Sequence, residues 1–163
     1  MWCKRLVLTV AGVVAALVAT TSASALDRPQ VIRILEVPEA FTPLSASFDF
    51  AQLKAGDSFA FVQGLYTWAG TKRGKRIGHI DGSCQIVSAI SKTGAGTSYC
   101  TASAFLPAGQ LLFQGFQRFT AGPGTFVYPI TGGTGGYSNA RGWVDIKDIG
   151  FSGKTADVFH LLP

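Results

Sequence analysis

Two glutamines fall where an alternating strand should carry apolar side chains. In Ser58–Tyr66 (SFAFVQGLY), Phe59, Phe61, Gln63 and Leu65 share one face, and Ala60, Val62 and Gly64 share the other. In Gln110–Phe119, Gln117 keeps the phase of Leu111 and Phe113. A buried amide must find partners, so each glutamine either orients a ligand or bonds a neighbour. Phe126 and Tyr128 supply a third aromatic wall. Apolar walls with a few polar groups suit one kind of chemistry. They fold a small apolar molecule and stabilise charge as it cyclises or couples. Gln63 and Gln117 are the catalytic candidates, and Phe59, Phe61, Leu65, Phe113 and Tyr128 are the ligand-binding ones. Arg33 is a third catalytic candidate. Pointing inward, it is a buried cation that needs a carboxylate or an anionic ligand. Pointing outward, it is an ordinary surface arginine, and Ile32 and Ile34 form the core face.

Other chemistries lack their residues. His79 and His160 are far apart, and no Cys/His/Asp spacing suits zinc. No Gly-x-Ser-x-Gly nucleophile motif occurs. Four glycines flank Thr134, at 132, 133, 135 and 136, but Ser138 stands where a dinucleotide fingerprint needs glycine. No Gly-Lys-Ser/Thr follows, so this is not a phosphate-binding loop either. The stretch reads as a tight β corner that needs positive φ. Neither a metal nor a cofactor is expected.

The elements that must hold these residues are strands. The 163 residues include 20 Gly and 12 Phe, and only 14% are charged. No segment keeps a helical period over three turns. Strands are expected at Val31–Val37, Ser58–Tyr66, Ser83–Ile90, Thr97–Leu106, Gln110–Phe119, Thr125–Ile130, Arg141–Ile146 and Ala156–Leu162. Ser47–Phe50 is a short strand or an extended loop. Thr71–Arg76 reads as a solvated loop carrying Lys72, Arg73, Lys75 and Arg76. Turn residues recur every 8–12 positions, the spacing of an all-β sandwich or barrel (roughly that range). A closed eight-stranded antiparallel β-barrel leaves no exposed edges and can hold one small ligand.

The first 25 residues read as a Sec-type signal peptide. Lys4 and Arg5 precede an uncharged run from Leu6 to Val18, and Ala23-Ser24-Ala25 is a small-x-small cleavage site. That run is too short to span a bilayer stably, since about 20 residues are needed. Residues 26–163 then form a single exported domain, secreted or extracellular. Losing Lys4 and Arg5 lowers the net charge from +5 to +3, too weakly basic for a nucleic-acid binder. Cys84 and Cys100 remain as an even pair in an oxidising compartment, which points to one disulfide. Two buried free thiols are the alternative.

Thr131-Gly132-Gly133-Thr134-Gly135-Gly136-Tyr137-Ser138-Asn139-Ala140-Arg141-Gly142 resembles the glycine signature of the allene oxide cyclase and dirigent superfamily. Gly56-Asp57, Phe61–Tyr66, Gly82-Ser83-Cys84 and Phe113-Gln114-Gly115 resemble allene oxide cyclase segments in the same order. The resemblance implies an eight-stranded antiparallel barrel with an apolar cavity, in a family that is often trimeric. It places the family's first-strand glutamate and asparagine on Arg33 and Leu35, with Glu36 one residue out of phase. It places a cavity asparagine on Gln63, a cavity cysteine on Cys84 and a cavity tyrosine on Gln117. Arg141 matches the dirigent motif, while Gly136 replaces its aspartate. The implied partner is a small hydrophobic substrate to be cyclised or coupled. A non-catalytic carrier and a structural barrel filled by side chains are the alternatives.

Overall fold

A computed structural model of the protein describes residues 28–46, 48–49, 52–70, 72–88, 95–120 and 122–163. The segment read as a signal peptide lies outside them. Eight strands follow in chain order: β1 (Gln30–Pro43), β2 (Ser58–Trp68), β3 (Arg73–Ser88), β4 (Gly96–Leu106), β5 (Gly109–Phe119), β6 (Thr125–Gly133), β7 (Arg141–Asp148) and β8 (Thr155–Leu162). Each pairs antiparallel with the next, and β1 pairs with β8, so the sheet closes into a barrel. The all-β, eight-stranded expectation holds.

Two strands run further than their patterns predict. β1 continues past Val37 through Pro38 and Pro43. It leaves β8 after Glu36 and bulges between Pro38 and Ala40, so the missing proline N–H groups fall where one edge is free. β3 begins at Arg73, not Ser83, so Arg73, Lys75 and Arg76 belong to a strand and the expected loop is corrected. The two arginines are held against β1 and β2. Arg76 forks onto both carboxylate oxygens of Glu39 at 2.8 and 3.0 Å, and Arg73 lies 4.8 Å above the Tyr66 ring. Charges at the exposed rim of a long strand hide its period from sequence. Phe48 and Asp49 lie outside any strand, while Ser47 and Phe50 fall outside the described residues.

The interior has a filled half and a hollow half. Leu65, Ala104, Leu111, Val144, Phe159 and Leu161 pack into the filled one. Its end is closed by the glycine-rich corner, which forms a single 3-10 turn over Gly135–Tyr137 and buries the Tyr137 ring. Gly135 has φ +61°, and a Cβ there would stand 2.6 Å from the Ala108 carbonyl oxygen. The corner therefore needs glycine for backbone reasons, as its composition implies. Cys84 and Cys100 face each other across β3 and β4 and are disulfide-bonded, with Cα atoms 4.1 Å apart.

Candidate functional site

The hollow half encloses a cavity of about 300 Å³ that opens toward the β1–β2 and β7–β8 turns. Alternation along each strand dictates its walls. Phe59, Phe61 and Gln63 come from β2, Phe113 and Gln117 from β5, and Phe126 and Tyr128 from β6. The Cys84–Cys100 disulfide lies in the wall between them. A glycine makes room for one ring: a Cβ on Gly115 would sit 2.6 Å from Tyr128 Cδ1. At the mouth Phe41, Phe48 and Phe59 form an aromatic cluster with centroids 5.0–5.6 Å apart.

Gln63, Gln117, Phe59, Phe61, Cys84, Phe113 and Tyr128 are thus brought together as expected. The two amides differ in state. Tyr128 donates its hydroxyl hydrogen to Gln117 Oε1 at 2.9 Å. The Cys100 sulfur is 3.8 Å from the same oxygen, a contact only, since a disulfide sulfur carries no proton. Gln63 Oε1 is buried and has no hydrogen-bond partner. An unsatisfied acceptor facing a cavity is available to a ligand's donor.

Three candidates fall elsewhere. Arg33 is exposed on the outer wall, because Ile34 is fully buried and adjacent strand residues face opposite ways. Arg141 is also exposed, one residue out of phase with the inward-facing Val144 and Ile146 at positions 144 and 146. Leu65 points inward but belongs to the packed half and not to the cavity wall. His79 and His160 sit on the barrel's flank, stacked on Phe105 and Trp143.

The structure adds a group that the sequence reading passed over. Glu36 shares the phase of Ile32 and Ile34, so it points inward, lines the cavity and is 3% exposed. Asp157, cross-strand partner of Ile34, is fully buried at 0%. Thr155, opposite Glu36, completes the cluster. Neither Asp157 oxygen receives a well-formed hydrogen bond. Burial raises the Asp157 carboxyl well above the usual range, and the adjacent Glu36 charge raises it further. Burial also raises Glu36, with its contacts to Asp157 and Thr155 opposing the shift. Two such carboxyls side by side share a proton more readily than they both ionise. Burial, then the charges of Glu36 and Asp148, push the Tyr128 phenol above its ordinary range. Asp148 itself stands at the rim, accepting the Gly124 N–H at 2.7 Å.

The chain is a closed eight-stranded antiparallel barrel with an aromatic chamber and a few convergent polar groups. The match to the allene oxide cyclase barrel-like domain over residues 45–161 covers most of the chain, and the protein belongs to that family. No curated protein matches it. Among solved structures it is similar to a pyocyanin demethylase (TM-score 0.64, 20% identity, 80% of this chain and 99% of that one). The Diels-Alderase AbnU gives a TM-score of 0.64 at 19% identity, over 82% of this chain and 98% of that one. A pterocarpan synthase dirigent protein gives 0.58 at 15% identity, over 82% and 87%. At these identities the likeness is one of fold.

Proposed function

We propose that this is an exported, cyclase-like barrel. It binds a small, mostly apolar molecule in the hollow half and folds it for an intramolecular cyclisation or a stereoselective coupling. The observation that carries the reading is the cavity of about 300 Å³, lined by phenylalanines yet holding an unpaired Gln63 oxygen beside Glu36 and the Tyr128–Gln117 pair. A barrel filled by its own side chains would have no such space. A plain carrier would have no need of an unsatisfied amide. The Cys84–Cys100 disulfide supports the export reading. Relatives of this shape include Diels-Alderases and dirigent proteins.

The test begins with native mass spectrometry of the protein purified from its own host. Any co-purifying compound is identified and then offered back in excess. A cyclase returns an isomer of unchanged mass, separable by chiral chromatography, and Gln63→Leu abolishes that turnover. Recovery of the compound unchanged would convert the reading to that of a carrier.

A further inference from the structure

The cavity's charge is one-sided. Glu36 and Thr155 line it, Asp157 stands behind them, and Asp148 lies at its rim. Among the described residues, no lysine, arginine or histidine lines it. Arg33 faces away, and Arg76 is bound to Glu39. A buried carboxylate requires a counter-charge. In the empty barrel a shared proton serves, because one protonated carboxyl can then donate to the other. The walls are aromatic faces, which attract cations and repel anions.

From this geometry we infer that the barrel's ligand is an apolar organic cation, such as a protonated tertiary amine or an N-alkylated heteroaromatic ring. It enters against the Glu36–Asp157 pair as one proton leaves that pair for solvent. The inference rests on the proposed binding role of the cavity and names its substrate class. One positive charge replaces another, so the pair stays compensated throughout.

The ionisable groups facing the pair are few. β7 presents Asp148, and β6 presents Tyr128, whose phenol stays neutral. β2, packed against β1, presents Gln63 and Leu65. β8 otherwise presents Thr155 and Phe159. The Glu36–Asp157 pair, whose carboxyls burial raises, is therefore the group that releases a proton as the cation enters. Binding of the cation strengthens as pH rises, by up to about tenfold per unit while the pair is protonated.

Three probes of one shape test this: 1-methylquinolinium (cation), 1-methylnaphthalene (neutral) and 1-naphthoate (anion). Their affinities are measured by calorimetry at pH 6 and pH 8, in two buffers of different ionisation enthalpy. The cation should bind about tenfold or more tightly than the neutral probe at pH 8, and the anion more weakly than either. The cation's apparent enthalpy should depend on the buffer, which registers the released proton. Glu36→Gln should bring the cation and neutral affinities together. Equal binding of cation and neutral probe by the wild-type protein, or tighter binding of the anion, would overturn the charge inference and leave the cavity intact. If no probe binds at either pH, the cavity reading falls and the inference with it.

Discussion

Tyr128 and Gln117, on neighbouring strands, satisfy each other across the cavity wall: the phenol donates to the amide oxygen at 2.9 Å. That bond occupies one amide and leaves Gln63 as the free one. It also fixes the Tyr128 hydroxyl in a buried site under the negative potential of Glu36 and Asp148. The phenol is therefore expected not to ionise at moderately alkaline pH. Spectrophotometric titration at 295 nm should read the same for the wild type and Tyr128→Phe up to about pH 11. A missing tyrosine's worth of absorbance in the variant below that pH would show an exposed, unperturbed phenol. The variant should also lose about 1 kcal/mol of stability, the usual worth of such a bond.

The acid pair predicts a pH dependence of stability. In the unfolded chain Asp157 ionises around its ordinary 3.8. In the fold it holds its proton to higher pH. The unfolded state then binds fewer protons than the native state, so stability falls as pH rises from about 4 through the raised native value. Asp157→Asn keeps the shape and removes the titration. Urea unfolding should find the variant close to wild type at pH 4 and more stable at pH 8. Equal destabilisation at both values would mean that the carboxylate has an ionic partner in the fold.

Gln63→Leu should stabilise the protein although it removes a hydrogen-bonding group. The Oε1 atom is buried without a partner, a cost of about 1–3 kcal/mol that leucine does not carry. The expected gain in denaturant unfolding is about 1 kcal/mol, after the different shape is allowed for. A loss of stability instead would show that Gln63 bonds within the barrel, which would remove it from the site.

The disulfide closes a loop with a sequence separation of 16. Loop entropy assigns about 3 kcal/mol to a bridge of that span. Replacing both Cys84 and Cys100 by serine should lower unfolding free energy by about 2–4 kcal/mol. Reductant should affect only the wild-type protein. Indifference of the wild type to reductant would contradict a bonded pair.

Much of the fold was legible because the signals are local. Phe59, Phe61 and Leu65 alternate cleanly, and the glycine corner marks a place where the chain turns with φ positive, at Gly135. The start of β3 was not legible. Its rim carries Arg73, Lys75 and Arg76, whose fit depends on Tyr66 and on Glu39, far away in the chain. The site was half legible. Gln63 and Gln117 declared themselves by polar type on apolar faces. The resemblance places the first-strand pair on Arg33 and Leu35, whereas Ile32 and Ile34 set the phase that turns Glu36 inward. Asp157 opens a strand whose first residues look polar and exposed. Only its position opposite Ile34, across the barrel's closing seam, shows it to be buried.

The central claim is that the hollow half of the barrel binds a small molecule. Titration with the neutral fluorophore N-phenyl-1-naphthylamine tests it most directly, using the wild type and Ala102→Phe. Ala102 lines the cavity, opposite Phe113 on the neighbouring strand, so the larger side chain fills the space from within. The account predicts saturable binding to one site in the wild type and its loss in the variant, which a melting curve shows to be folded. Equal binding to both proteins, or none to the wild type, would contradict it.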